Sequence, residues 1–141
     1  MASDATQVVD IYQNRQSGQF RIQPYARAGS SSQPFGDFVI VEADVSDQDL
    51  LHIVLDALKK SDMQKYDFSR APVWTKAEYT RMLKEEKLIG VRLALDSVRL
   101  VPCVRMRNSF GSVDEKVVTL SREVFFFRGG EVIRELFREL S

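Results

Sequence analysis

The chain has 141 residues, 44% of them hydrophobic and 28% charged, a composition that supports one globular domain with a packed core. Twenty Lys and Arg balance twenty Asp and Glu, so it lacks the basic excess with which nucleic-acid binders neutralise phosphates. A single histidine, His52, a single cysteine, Cys103, and no glycine-rich phosphate loop remove the usual parts of a metal centre, a disulfide framework or a nucleophilic triad.

No apolar run approaches the roughly 18 residues of a membrane span. The start Met1-Ala2-Ser3-Asp4 lacks the basic and apolar segments of a leader. The expectation is a cytoplasmic protein with no membrane partner, residues 1–7 forming a flexible N-terminus and residues 8–141 a single α+β domain. Charge is unevenly spread: residues 1–65 hold nine Asp or Glu against six Lys or Arg, and residues 66–141 hold eleven against fourteen. The acidic excess peaks at Glu42, Asp44, Asp47 and Asp49, which fall within eight residues that contain no cation. Such a stretch argues against direct contact with nucleic acid and suits a basic protein as partner.

In chain order, residues 8–12 and 20–23 are short β-favouring stretches separated by the turn-forming Arg15-Gln16-Ser17-Gly18, which predicts an N-terminal hairpin. Residues 28–37 concentrate Gly, Ser and Pro and are expected as a long exposed loop leading into a compact, buried apolar strand over 38–43. Ser46, with Asp49 three residues on, predicts a helix N-terminus. Leu50, Leu51, Val54, Leu55, Ala57 and Leu58 give that helix an apolar face to lay on a sheet. Thr75 with Glu78 signals a second helix, over 76–87. From Ile89 the spacing turns to period two, with Val91 and Leu93, a turn at Asp96-Ser97, and Val98 to Val101 completing an antiparallel hairpin. Residues 108–112 read as a loop and 116–120 as a strand. Gly129-Gly130 reads as the break before an amphipathic helix carrying Val132, Ile133, Leu136, Phe137 and Leu140. This order predicts an α+β domain in which about three helices pack on a mostly antiparallel or mixed sheet.

Few side chains are candidates for chemistry. His52 falls on the polar face of the first helix with Gln48, Asp49, Asp56 and Lys59, and no second histidine exists to complete a metal pair, so it is expected as a solvated residue. Cys103, inside the apolar run 100–104, is expected as a buried small hydrophobe. Trp74, near Pro72, is expected to anchor packing rather than stack on a base. Glu85-Glu86 and Asp114-Glu115 are adjacent carboxylates that diverge on a regular element, and both pairs read as solvated charge. Ser30-Ser31-Ser32 lacks the strand–turn–helix setting of a nucleophile and a histidine base, which leaves only Ser-Lys chemistry formally open. No catalytic residue, metal or cofactor is expected, and no enzymatic activity.

Several segments together resemble a known family. They are Pro24-Tyr25-Ala26-Arg27 through the strand ending at Glu42, the helix entered by Ser46-Asp47-Gln48-Asp49-Leu50, the isolated Trp74, the strand ending at Val101-Pro102, the Gly111 loop, and the closing Val118-Thr119-Leu120 strand with its helix. In that order the chain resembles, over nearly its whole length, the immunity proteins (CdiI family) of contact-dependent growth inhibition systems. The resemblance implies a protein that binds the cognate C-terminal toxin domain of a surface-delivered effector, often a nuclease, and neutralises it in the cytoplasm of the producing cell. It transfers no catalytic residues, and toxin contacts in such a family vary with the toxin. A nuclease presents a basic groove to phosphates, and carboxylates on a rigid helix and the strand before it fit such a groove. Glu42, Asp44, Asp47, Asp49 and Asp56 are therefore the expected toxin-binding residues. Asp47 and Asp49 also have a purely structural explanation, since acidic side chains in a helix's first turn interact favourably with its dipole.

Two other readings stay open. One is a protein-interaction or adaptor domain using the loop 28–37 or Val124-Phe125-Phe126-Phe127, because three consecutive phenylalanines cannot all face one side of a strand or helix. The other is a nucleic-acid-binding domain, or a small enzyme, built on Arg92, Arg99, Arg105 and Arg107. Solvation on the open face of a sheet is the plainer account of those arginines.

Overall fold

The structure is a computed structural model that describes residues 6–28, 31–34, 37–61 and 75–140. The N-terminal hairpin forms where expected but is longer: β1 (Gln7–Asn14) and β2 (Phe20–Ala28) pair antiparallel, with Ile11 opposite Ile22. Gly18, at φ 75°, closes the turn in the left-handed region that glycine enters without strain. The Asn14 side-chain oxygen accepts from the N–H groups of Gln16 and Ser17, each at 2.9 Å, and so holds the same turn.

The single long loop expected over 28–37 is corrected. β2 continues through Ala28, and β3 (Ser31–Pro34) pairs antiparallel with residues 25–28. Composition marks the turn but misses the ladder, because an edge strand is held by backbone groups and accepts Ser and Pro that a central strand would not. β4 (Val39–Val41) is the apolar strand foreseen at 38–43, yet it is an edge rather than a buried element. Val41 is buried, but Ile40 is 55% and Phe38 44% exposed.

α1 (Asp47–Lys60) is capped by Ser46, whose side chain accepts from Asp49 N–H at 3.1 Å. α2 (Lys76–Glu85) opens with the reciprocal Thr75–Glu78 box and stops short of the expected residue 87, because the chain passes straight into β5 (Glu86–Leu93). β6 (Val98–Arg105) completes the second hairpin. β7 (Phe110–Ser112) is a strand where a loop was expected, since Cys103 to Arg105 of β6 supply its ladder. The strand expected over 116–120 is shortened to β8 (Val118–Leu120), preceded by a 3-10 turn at Asp114–Lys116. The last correction is α3 (Arg122–Glu139), which starts at the Ser121 cap and runs through Gly129 and Gly130 instead of beginning after them. The reason is packing: both glycines are buried, and they lie where α3 crosses α1. The expected role of Trp74 lies outside the described residues, as do Ser30 and most of the N-terminal segment 1–7.

Among the described residues the strands form one eight-stranded sheet in the order β3-β2-β1-β5-β6-β7, with β4 sharing the outer side of β2 and β8 that of β6. Every described pairing is antiparallel. Each outer side is thus built of two short strands, and each long strand carries a proline where they meet. Pro24 falls between residues 20–22, paired with β4, and residues 25–28, paired with β3. Pro102 falls between residues 98–100, paired with β8, and residues 103–105, paired with β7. Proline has no N–H to give a ladder, and here neither short strand requires one.

One face of the sheet presents Val9, Ile11, Phe20, Ile22, Ile89, Val91, Val98 and Leu100 to the main core, with α1 over β1 and β2 and α3 over β5 and β6. Each such side chain contributes roughly 1.5–3 kcal/mol by burial. The other face carries a smaller cluster of Tyr12, Met82 and Leu88, with Cys103 and Phe110 beside it, where α2 lies on β5. Ser61, buried at the end of α1, donates to Tyr25 C=O at 2.6 Å and accepts Val8 N–H at 2.8 Å, bridging β1 and β2. Lys87 and Lys116 donate, each at 3.0 Å, to the carbonyls of Phe137 and Glu139 and so cap the end of α3. Among the described residues no helix is long and apolar enough to cross a membrane.

Candidate functional site

The turn from β4 into α1 brings Glu42, Asp44, Asp47 and Asp49 together, all exposed. Glu42 accepts from the Gln19 side chain at 3.0 Å. Asp47 is engaged inside the molecule: its Oδ1 lies 2.5 Å from Nε of Arg134 on α3. The same guanidinium donates to the carbonyls of Ala43, at 3.1 Å, and Val45, and its carbon sits 5.6 Å from the centre of the Phe20 ring. Arg134 therefore fastens the turn, the start of α1 and α3 to one another. Nothing local in the sequence signals this, because its partners are about ninety residues away. Asp56 stands two turns along α1, 3.9 Å from Lys59, and with both side chains over 70% exposed that pair is worth little. Among the described residues no ion pair engages Asp44 or Asp49. Asp49, His52 and Asp56 share the outer face of α1, all three exposed.

Beside the crossing of α1 and α3 opens a cleft of about 380 Å³, whose lining includes Asp47, Leu51, His52, Phe126, Phe127, Arg128 and Glu131. The phenylalanine run divides as helical geometry requires: Phe125 is fully buried, Phe126 is 43% exposed and Phe127 86%. The Arg122 guanidinium lies over the Phe126 ring at 5.5 Å. Glu123, Phe127, Glu131 and Glu135 follow one another at four-residue spacing down the outside of α3, all exposed. Arg128 is held to Glu131 by two N–H donors, at 3.3 and 3.1 Å. The phenylalanines were visible in the sequence, but taking Gly129-Gly130 as a break detached them from the helix that presents them.

On the opposite face of the sheet lies a polar cluster that was not foreseen. Asp10 sits across from Gly90, where a Cβ would already be 3.4 Å from its Oδ1. The Tyr12 and Tyr25 hydroxyls, 3.2 Å apart, both hydrogen-bond to it. Burial pushes the Asp10 carboxyl up to about 6, against the lowering effects of the Tyr25 hydroxyl, the Arg92 charge and the Tyr12 hydroxyl. The fold therefore prefers the neutral acid, and the stability this group contributes is full below about pH 4 and lost as pH rises to about 6. A rise of about two units corresponds to about 3 kcal/mol. Asp10→Asn cannot ionise, so its stability advantage over the wild type should grow from near zero at pH 4 to about 3 kcal/mol above pH 6. Urea unfolding at several pH values measures this, and a difference that stays constant across the window would refute it.

Glu86 corrects the reading of Glu85-Glu86 as solvated charge. It is buried and bonds Arg21 at 2.8 Å, whereas Glu85 is exposed enough to pair with Arg81 on the surface. Cys103 is partly buried, and burial raises its thiol to about 11, which leaves it an inert small side chain. Arg92 and Arg99 stand directly opposite one another on β5 and β6, and Arg105 and Arg107 are exposed beyond them. Among the described residues no cluster of His, Cys, Asp and Glu could hold a metal ion.

The architecture defines an α+β domain, an antiparallel sheet with helices on both faces. No family model matches the chain, and no curated protein matches it. Solved structures share its fold, among them one from Neisseria meningitidis and one from Yersinia pseudotuberculosis. A protein of unknown function, NMB0488 from Neisseria meningitidis, superposes with a TM-score of 0.75 at 14% identity, over 100% of this chain and 99% of that one. A chain of the CdiA-CT/CdiI toxin and immunity complex from Yersinia pseudotuberculosis superposes with a TM-score of 0.70 at 16% identity, over 97% of this chain and 98% of that one. At these identities the likeness is one of fold.

Proposed function

We propose that this chain is an immunity protein of a contact-dependent growth inhibition system, which binds the toxin domain of its cognate effector in the cytoplasm and blocks it without catalysis. The observation that carries the reading is the end-to-end fold likeness to a chain of a toxin and immunity complex. The immunity side of such a pair suits a chain whose one histidine is exposed and whose thiol is inert. The toxin contacts proposed are Glu42, Asp44, Asp47, Asp49 and Asp56, with a nuclease as the inhibited activity. Carboxylates at the end of a rigid helix steer a basic groove onto themselves and speed encounter. Asp47 takes part while paired to Arg134, so Asp49 and Asp56 offer the freer charge.

The test is titration of the toxin domain encoded beside this chain, reading affinity and nucleic-acid cleavage together. Nanomolar binding that abolishes cleavage at one-to-one stoichiometry is expected, and absence of binding by folded protein would sink the reading. Asp49→Lys combined with Asp56→Lys should weaken the complex at least tenfold and leave Tm nearly unchanged, because both side chains are exposed.

A further inference from the structure

The cleft between α1 and α3 joins two features that rarely coincide on a chain without a partner. Its floor holds Leu51 and the half-exposed Phe126, and Phe127 projects beside them with 86% of its surface exposed. Exposing a large aromatic side chain to this extent forgoes its burial and marks a contact surface when it adjoins a cleft. Asp47 and Glu131 line the cleft together with Arg128 and His52, and further exposed carboxylates flank it on both helices. Asp49 and Asp56 run along α1, and Glu123, Glu131 and Glu135 run along α3 with Phe127 among them. Arg128 is bonded to Glu131 and Arg134 holds Asp47, so those carboxylates are spoken for, and Lys59 stands only loosely beside Asp56. Among the described residues no ion pair engages Asp49, Glu123 or Glu135, which supply the open acidic charge. One ring already receives a guanidinium, since Arg122 lies over Phe126.

We propose that this cleft seats a cationic segment of the toxin domain, one that lays an apolar side chain or the stem of an arginine on Phe126 and Phe127 while its charges meet the carboxylates of both helices. The inference rests on the immunity reading and gives it an anchor. Apolar rings in a recess supply the part of the affinity that salt does not screen, and the flanking carboxylates supply orientation and encounter rate. The backbone of the recess is fixed beforehand, because Arg134 and the close approach of α3 to α1 hold both helices at this point.

The experiment is calorimetric and kinetic titration of the toxin domain with the full chain at 50 mM and 300 mM salt. It compares the wild type, Phe127→Ser, and Glu131→Gln with Glu135→Gln. Phe127→Ser should weaken binding at least tenfold at both salt concentrations, through faster dissociation, with Tm unchanged. The double glutamine variant should slow association and flatten the salt dependence. If the wild type binds and Phe127→Ser binds equally well, the seat lies elsewhere and the immunity reading survives alone. If the wild type does not bind, both fall. If sedimentation shows a wild-type dimer that Phe127→Ser disperses, the surface belongs to a second copy of this chain and the toxin seat is overturned.

Discussion

Gly130→Ala is expected to destabilise the protein by about 2–3 kcal/mol, a fall of roughly 10 °C in Tm for a domain of this size. In an exposed helix the same change is stabilising by up to about 1 kcal/mol, because alanine restricts the unfolded chain and glycine does not. Here the added methyl would drive into the backbone carbonyl of Asp47, an atom that cannot swing aside as the end of a side chain can. Relief requires α3 to lift from α1, and that movement would pull Arg134 from the carbonyls of Ala43 and Val45. Gly129→Ala is the control. Its methyl meets Leu51 Cδ1 at 2.9 Å and the Phe125 ring at 2.8 Å, so side-chain adjustment absorbs part of the strain. The expected order of melting temperatures is wild type, then Gly129→Ala, then Gly130→Ala. Equal stability of the two variants would show that α3 does not press on the α1 backbone at Gly130.

The second large effect belongs to the ion pair of Arg21 and Glu86, whose side chains are 16% and 9% exposed. Arg21 also lies over the ring of Tyr12 at 4.9 Å and that of Phe38 at 5.4 Å, so its guanidinium is enclosed by aromatic carbon. Glu86→Ala should cost about 3–5 kcal/mol, because it takes the carboxylate from a guanidinium that remains shielded from water. The pair itself is a weak stabiliser. Burial raises the Glu86 carboxyl above its usual range in spite of the lowering pull of Arg21 and Arg81, with Glu85 adding to the rise, so desolvation outweighs attraction. Replacing both residues with apolar ones, Arg21→Met with Glu86→Leu, should therefore recover most of the loss. A double-mutant cycle followed by urea unfolding decides the matter, and a double variant as unstable as Glu86→Ala would show that the charge pair itself holds the strands.

The parts of the fold legible in the sequence are those whose signal is local. Ser46 and Thr75 each bond the N–H three residues on, which is why the starts of α1 and α2 were readable. The period-two pattern from Ile89 to Val101 likewise produced a real hairpin. What escaped depends on partners distant in the chain. Ser31 to Pro34 and Phe110 to Ser112 look like loops until β2 and β6 lend them ladders. Gly129 and Gly130 look like punctuation until α1 arrives beside them. The candidate site followed the same rule. The acidic run from Glu42 to Asp49 is contiguous and could be read directly, whereas Arg134, Phe126 and Phe127 acquire meaning only once α3 is a single helix. Asp10 is a polar residue in an apolar strand, and only the register that sets it opposite Gly90 and beside Tyr25 explains it.

The divided flanks of the sheet bear on how copies of this chain stay apart at high concentration. A stray strand that approached either side would find backbone groups in line for only three or four residues before the ladder changed partner. That is too short a template to hold an incoming chain against the entropy of ordering it. Copies crowded together would thus find, among the described residues, no continuous margin along which to zip into fibrils. The two prolines, each set where its neighbouring strands change over, keep that margin interrupted.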